Sequence, residues 1–498
     1  MSQQSDQAQQ VQQSLSVAFE APPPAAAAEL LEALPLAHRL PLEEVLRRSA
    51  RVAAARHEVA AARQRAPQVR ALPDPEIQLT LFALPPETRV GPQRGQLQIS
   101  QRIPVYGKLG LAEQAAALAV VAAHGHLESV RLEVLTEARR LLEELAFLEE
   151  HRLIATEERD HLRRHEVVAR SRYATGAGRQ QEVLRLQSAI TRAEQELLAL
   201  EVRHGQLLSQ FNALRGAAAQ APLAGRALLA ASSAELLPED LPAEEVASEE
   251  ERSAEVPGTF FFDRQAGEVP GTWAEPELES WVRAALRDRP DMAAARVAVE
   301  RFEPLVELAR RDRWPDLRIG LGWTEVGERR DAAGRRAPPQ GNGDDVLALT
   351  AGVAVPLARE RRRAAVEEQV EKQRAASARL LDLERRVAAR VGELLHRLPL
   401  LESQRRLTAE VLLPQAQAAL ASAETAYATA QLSALEILDA EHTLFEVRLA
   451  LARITADVAI ARAQLEGELA SPLIDFVDPV HRSQDSLESP AELPGELP

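Results

Sequence analysis

The sequence has 498 residues, of which 46% are hydrophobic and 27% charged, while only 3% are aromatic. Its apolar residues are mainly Ala and Leu, which favours closely packed helices over a thick globular core. The formal net charge of −16 argues against general nucleic-acid binding, and the absence of cysteine excludes disulfides and thiolate metal sites. No run of 18 apolar residues occurs, so no membrane-spanning helix is predicted.

The amino-terminal segment, residues 1–40, is predicted to be disordered. Its Gln-rich and Ala/Pro-rich sequence offers little apolar surface to offset the entropy that is lost on ordering. Residues 1–17 also lack the basic and apolar regions of a secretory signal, so no signal peptide is predicted.

Residues 41–216 are predicted to form a first repeat of helix, two strands, long helix, turn and return helix. Apolar residues alternate with polar ones in the strands and recur at helical spacing elsewhere. The long helix contains no proline and would extend roughly 100 Å, so it must pack against other long helices. The predicted elements are a helix from Pro41 to about Arg65, strands over residues 76–83 and 95–103, a helix from about Leu109 to Ala174, and a return helix from about Arg179 to Leu214.

Residues 217–275 form an acidic, Pro-rich linker in which Val-Pro-Gly-Thr occurs twice. Residues 276–470 are predicted to form a second repeat with the same order of elements, followed by a disordered tail over residues 471–498. The predicted elements of the second repeat are a helix from about Pro276 to Arg313 with a boundary at Pro290 and a kink at Pro304, strands over residues 316–325 and 345–355, a helix from about Ala358 to Ala428 with kinks at Pro399 and Pro414, and a return helix from Ala434 to Leu469.

The turns between the long helices share a motif, which predicts an internal duplication. Tyr173 begins Tyr-Ala-Thr-Gly in the first repeat, and Tyr427 begins Tyr-Ala-Thr-Ala 254 residues later. Each motif ends a long helical segment and precedes another, as at the tip of a helical hairpin. The two tips are predicted at about residues 174–180 and 429–434.

The four predicted strands have the length and alternation of outer-membrane barrel strands. Four strands cannot close a barrel, because eight is about the smallest working number. Several copies of the chain that contribute four strands each would solve this problem. The alternative is a soluble α+β protein with a single four-stranded sheet.

The motifs of both repeats resemble those of TolC-type outer-membrane efflux proteins, most closely the branch that serves heavy-metal and cation pumps. The resemblance covers residues 41–216 and 276–469. It is carried by Leu72-Pro73-Asp74-Pro75-Glu76, Ile99-Ser100-Gln101-Arg102-Ile103-Pro104-Val105-Tyr106-Gly107-Lys108, Tyr173-Ala174-Thr175-Gly176 followed by Glu182-Val183-Leu184, Trp314-Pro315-Asp316-Leu317, Leu413-Pro414-Gln415-Ala416 and Leu438-Asp439-Ala440-Glu441.

The resemblance implies a mixed α/β membrane protein that assembles as a homotrimer. Its 12-stranded β-barrel, with four strands from each chain, would lie in outer-membrane lipid and continue as a long α-helical barrel across the periplasm. The implied function is passive export of metal cations or drugs, delivered by an inner-membrane resistance-nodulation-division pump and a periplasmic adaptor. A missed upstream start or a lost signal would then explain the amino terminus. The alternative is a soluble or periplasmic helical-hairpin scaffold without transport activity.

The resemblance places the hairpin tips where the adaptor docks. The residues assigned to adaptor contact are Gly176, Ala177, Gly178, Arg179, Ala430, Gln431, Leu432 and Ser433. Ala430 stands where the family commonly has glycine, so the geometry of the second turn is expected to differ. The alternative is that these residues only form turns.

The resemblance assigns Glu436 and Asp439 to an acidic constriction of the channel. Repeated by threefold symmetry, their carboxylates would attract cations and raise one another's pKa. Glu436 has a second interpretation, because Ser433 and Glu436 have the spacing of a capping box.

No catalytic residues, cofactor or metal site are predicted, because no nucleophile and base are suitably arranged. His161 and His165 have the spacing of two ligands on one helix face, but the sequence shows no third ligand. A solvated helix face is therefore the preferred interpretation of this pair.

Overall fold

The computed structural model describes residues 26–176, 178–223, 275–329, 331–428, 432 and 434–473. The chain divides into two compact units. The described part of the first unit comprises residues 56–126 and 291–383, and that of the second lies within residues 26–55, 127–290 and 384–473.

Long helices dominate the described chain. The first half contains helices α1 Ala26–Glu32, α2 Leu36–Arg48 and α3 Ala50–Arg70, strands β1 Glu76–Leu81, β2 Glu87–Thr88 and β3 Gly91–Ile103, and helices α4 Lys108–Ala174 and α5 Gln180–Arg215. The second half contains α6 Glu275–Asp288, α7 Pro290–Glu300, α8 Phe302–Arg311, β4 Leu317–Val326, α9 Ala332–Arg336, β5 Val346–Val353, α10 Arg359–Leu407, a π-helical turn Thr408–Leu412, α11 Leu413–Ala428 and α12 Ala434–Leu469. Among the described residues, no helix combines the length and apolar character needed to cross a membrane.

The first unit contains an antiparallel sheet with the strand order β1-β3-β4-β5. All four strands expected from alternation are present, and the short β2, which pairs with the start of β3, is an addition. The register aligns Ile77 with Ile99, Ile99 with Leu321, and Leu321 with Leu349. Because side chains alternate along a strand, the apolar residues of all four strands lie on one face.

Several boundaries differ from the sequence prediction, and the helix expected from Pro41 to about Arg65 is divided at Ser49 into α2 and α3. Residues 26–40 were expected to be disordered, but α1 forms there and buries Leu30 and Leu31. Helix α3 continues through Pro67 to Arg70 instead of ending near Arg65. Residues 217–223, assigned to an exposed linker, are held by the amide of Asn212, which donates hydrogen bonds to two carbonyls, and Leu223 is buried. Residues 224–274 of the linker, the first 25 residues and the tail beyond residue 473 lie outside the described residues.

In the second half of the chain, some prolines coincide with helix boundaries or irregular turns and others do not. Pro290 starts α7, as predicted, whereas Pro304 lies in the first turn of α8, which begins after a break at Arg301. Helix α10 continues through Pro399. The π-helical turn ends two residues before Pro414, and such turns are common where a regular α-helical hydrogen bond is lost.

The interior of the second unit contains three titratable side chains close together. His38 and Glu143 are fully buried beside Arg139, which forms an ion pair with Glu466. Neither His38 nitrogen nor Oε1 of Glu143 has a hydrogen-bond partner among the described residues. Burial, opposed in part by Arg139, raises the pKa of Glu143 to about 7. Burial and the charge of Arg139 lower the pKa of His38 to about 4.

We expect Glu143→Gln to stabilise the protein more at high pH than at low pH. Because the pKa of Glu143 is higher in the folded protein than in the unfolded chain, the native state loses stability as the pH rises from about 4.5 through about 7. The loss is about 3 kcal/mol at 1.36 kcal/mol per pKa unit. Glutamine remains neutral at every pH, so the variant does not undergo this loss of stability. Thermal unfolding of both proteins on either side of this window measures the difference.

The matched control is Glu137→Gln, on the same helix as Glu143, which removes an exposed carboxylate that pairs with Arg51 of α3. Its expected cost is less than about 1 kcal/mol. The opposite titration of His38 affects wild type and variant alike, so it cancels in their difference. A stabilisation by Glu143→Gln that is equal at both pH values would contradict the assignment.

Candidate functional site

The first hairpin tip connects α4 to α5 through a glycine in the left-handed conformation. Gly176 has φ 78°, and its N–H donates to the carbonyl of Tyr173 at 3.0 Å. The N–H of Gly178 donates to the carbonyl of Arg172, also at 3.0 Å. Glycine adopts positive φ without the penalty that a Cβ imposes, so it suits the end of a long helix.

The second tip closes with a hydrogen bond at the equivalent position. The N–H of Leu432 donates to the carbonyl of Ala426 at 3.3 Å. Donor and acceptor each lie 254 residues beyond Gly178 and Arg172, the same separation as between the two tyrosines. Four of the residues assigned to adaptor contact, Ala177, Ala430, Gln431 and Ser433, lie outside the described residues.

Side chains from both hairpins meet just behind the tips. Ala169 of α4 and Val183 and Leu186 of α5 form a buried cluster, against which Leu438 of α12 packs. The Arg172 guanidinium lies 4.6 Å from the centre of the Tyr427 ring, within the range of a cation–π interaction. The two tips are therefore held together within this unit of the chain.

The predicted contact and constriction residues that are described lie at accessible positions. Gly176 and Arg179 are exposed, while Gly178 and Leu432 are partly exposed. Glu436 and Asp439 lie in the first turns of α12, and both are exposed. The predicted capping box depends on Ser433, so it stays a prediction.

The two histidines on α4 share one acidic partner from another helix. The prediction that they lie on a solvated helix face with no third ligand-type residue nearby is therefore wrong. Nδ1 of His161 and Nε2 of His165 lie 3.1 and 2.9 Å from Oε1 of Glu441 on α12. Glu441 is only 4% exposed. Burial alone raises the pKa of Glu441, but hydrogen bonds from His165 and His161 outweigh burial and place its pKa below the usual value.

A second polar cluster, in the first unit, joins two of the motifs that carried the family resemblance. Nζ of Lys108 lies 2.9 Å from Oδ1 of Asp316 and donates to the carbonyl of Trp314. Arg102 donates to the other oxygen of Asp316. Lys108 and Asp316 are 7% and 8% exposed. The centres of the Tyr106 and Trp314 rings are 5.4 Å apart. This cluster lies where β3 ends and β4 begins.

A four-stranded antiparallel sheet combined with two hairpins of very long helices defines the TolC-type class of outer-membrane efflux channels. The chain belongs to the outer membrane efflux protein family, which matches residues 42–220 and 281–470. The resemblance found in the sequence motifs is thereby confirmed.

Solved structures with this fold align over most of the chain at low sequence identity. A structure of CusC, described as forming a transmembrane channel, is 16% identical, with 87% of this chain and 92% of CusC aligned and a TM-score of 0.64. The outer membrane protein VceC from Vibrio cholerae is 18% identical over 87% and 96% of the chains, with a TM-score of 0.63. The Campylobacter jejuni outer membrane channel CmeC is 13% identical over 87% and 86%, with a TM-score of 0.63. No curated protein sequence matches significantly.

Proposed function

We propose that the protein is the outer-membrane channel of a tripartite efflux system. In this role it passively exports metal cations or drugs that an inner-membrane resistance-nodulation-division pump and a periplasmic adaptor deliver. Family membership supports efflux, and the sheet in the first unit supports a membrane location. The role is transport, with no catalytic step by this chain.

The observation that carries the proposal is an apolar sheet face that the described chain leaves uncovered. The exposed side chains on this face belong to all four long strands. They are Ile77, Leu79, Ile99, Leu321, Trp323, Leu347 and Leu349. A continuous apolar surface of this kind is rare on monomeric soluble proteins and marks a protein or membrane interaction. Outer-membrane lipid fits it, because barrel strands place alternate apolar residues outward.

The sheet edges support the proposed homotrimer. In the described part of the chain, β1 and β5 lie at the two ends of the sheet, and each has one neighbouring strand. An open edge presents unpaired backbone groups, which lipid cannot satisfy. Pairing of β5 in one copy with β1 in the next would close a barrel of 12 strands from three chains. The long helices would then extend the barrel as a tube.

An internal duplication is supported by two independent observations. The family matches the chain in two separate segments, 42–220 and 281–470. The closing hydrogen bonds of the two tips also lie 254 residues apart. We propose repeats over residues 41–216 and 276–470, joined by a linker over residues 217–275, so that each chain supplies two hairpins.

The hairpin tips are proposed to contact the adaptor, because the described tip residues are accessible and lie at the ends of long helices. Glu436 and Asp439 are proposed to form the acidic constriction, three copies of each in the trimer. Carboxylates at a narrow point lower the electrostatic barrier for cations and raise it for anions.

We expect Asp439→Asn to reduce the preference for cations several-fold, because it removes one negative charge from each copy at the proposed constriction. Reversal potentials in planar bilayers under a salt gradient measure the cation-to-anion permeability ratio. The control is Glu182→Gln, which removes an acidic residue at the equivalent of Glu436 in the first hairpin. Equal permeability ratios for wild type and Asp439→Asn would exclude a constriction role for Asp439.

The proposed function as a whole is tested by fractionating cells that express the protein with its full upstream region, then measuring the mass of the purified protein in detergent. We expect a trimer from the outer-membrane fraction. A monomer that needs no detergent would reject the channel and leave the hairpins as a binding scaffold.

A further inference from the structure

The cluster of His161, His165 and Glu441 has the donor set and spacing of a transition-metal site. One ligand atom from each residue lies within 4.8 Å of the other two. The two histidines are one helical turn apart on α4, and the glutamate comes from α12. Imidazole nitrogens and one carboxylate are the ligands of many three-residue zinc sites with an open fourth position.

The two nitrogen–oxygen distances fit an ion with little rearrangement, and the two nitrogens lie within 4.8 Å of each other. A tetrahedral ion with bonds of about 2.0 to 2.1 Å holds its ligand atoms about 3.3 Å apart. The two nitrogen–oxygen distances are 3.1 and 2.9 Å, so these atoms need to separate by only a few tenths of an ångström. Each imidazole would give up the proton shared with the carboxylate, which metal ions commonly displace on binding.

Burial of the three side chains favours a site over a surface ion pair. The Glu441 side chain is 6% exposed, and those of His165 and His161 are 19% and 29% exposed. The His161 ring also packs edge-on against Phe445 at 5.5 Å between ring centres. Packing of this kind limits ring movement, while the partial exposure of His161 leaves room for a water ligand.

A neighbouring histidine shows what a surface arrangement looks like in the same region. His442 is 59% exposed, and its two ring nitrogens contact two different carboxylates, those of Glu158 and Glu446. One ion cannot bind at both nitrogens of one ring, so His442 does not form an equivalent cluster. The His442 arrangement uses the same residue types as the cluster of His161, His165 and Glu441, but its geometry is different.

We propose that His161, His165 and Glu441 bind one divalent transition-metal ion per chain, of the class that prefers imidazole and carboxylate ligands. The site lies nine residues before the end of α4 at Ala174 and seven residues after the start of α12 at Ala434. A bound ion joins the helix that enters the first tip to the helix that leaves the second. It therefore stiffens the region behind both tips.

The test uses full-length protein in detergent, purified without a histidine tag, stripped with chelator and dialysed against Zn²⁺ near neutral pH. We expect one Zn²⁺ per chain and a higher unfolding temperature in its presence. His165→Gln should weaken binding by about 100-fold or more, because loss of a group that merely hydrogen-bonds to a ligand costs up to about 100-fold. Co²⁺ should give the visible absorption of a four-coordinate site in wild type and should lose it in His165→Gln.

The matched control is His442→Gln, which should leave Zn²⁺ affinity and the Co²⁺ spectrum unchanged. His161→Gln, at the most exposed ligand, repeats the test if a change at the buried positions impairs folding, which circular dichroism reports. No stoichiometric binding by wild type would overturn the proposal. So would equal losses in His442→Gln and the ligand variants. The measurement is independent of channel activity, so failure of one proposal leaves the other standing.

Discussion

Leu349→Arg is expected to remove most of the protein from the outer membrane. Leu349 is 79% exposed, lies midway along β5 and pairs with Leu321 on the apolar face. An arginine on the lipid face costs about 2–4 kcal/mol near the middle of the bilayer. In the proposed trimer this cost applies three times. Quantifying the trimer in outer-membrane fractions, relative to total expressed protein, measures the effect.

The matched control is Ala348→Arg, one residue earlier on the same strand. Ala348 pairs with Gly322 and faces the opposite side of the sheet, which is the proposed interior of the barrel. An arginine there stays in contact with water, so insertion should remain close to that of wild type. Equal insertion of both variants would mean that the apolar face does not meet lipid. Equal loss would point to disruption of β5 itself.

The elements of the fold were predictable from the sequence because their signals are local and long. The alternation of Ile77, Leu79 and Leu81 identifies a strand without knowledge of its neighbours. Likewise, α12 begins and ends where its pattern predicts, at Ala434 and Leu469. The failure at α1 has a non-local cause: this Ala-rich segment forms a helix that buries Leu30 and Leu31, and the sequence of the segment does not reveal that burial.

The sequence predicted only those parts of the sites whose residues lie close together along the chain. His161 and His165 could be seen as a pair, but Glu441 follows 276 residues after His165 and meets it only through the packing of α4 against α12. Glu441 belongs to a motif that already supported the family resemblance, but nothing in that motif indicated that Glu441 contacts the two histidines. For the same reason the sequence did not show that Lys108 and Asp316 pair.

Asp316→Asn is expected to destabilise the first unit by about 3 kcal/mol, because breaking a buried ion pair leaves an uncompensated charge and typically costs 3–5 kcal/mol. Lys108 would retain the carbonyl of Trp314 and the exposed carboxylate of Asp312, 3.4 Å from its Nζ, which places the cost near the lower limit. Chemical denaturation in detergent measures the loss.

The pair is distinguished from its exposed neighbour by two further variants. Asp312→Asn removes a carboxylate that is 59% exposed and should cost less than about 1 kcal/mol. Lys108→Met combined with Asp316→Asn should recover part of the stability, since it removes the charge that Asp316→Asn leaves buried. If Asp316→Asn costs no more than Asp312→Asn, the junction of β3 and β4 is held by strand pairing and by the contact of Tyr106 with Trp314, and the ion pair contributes little.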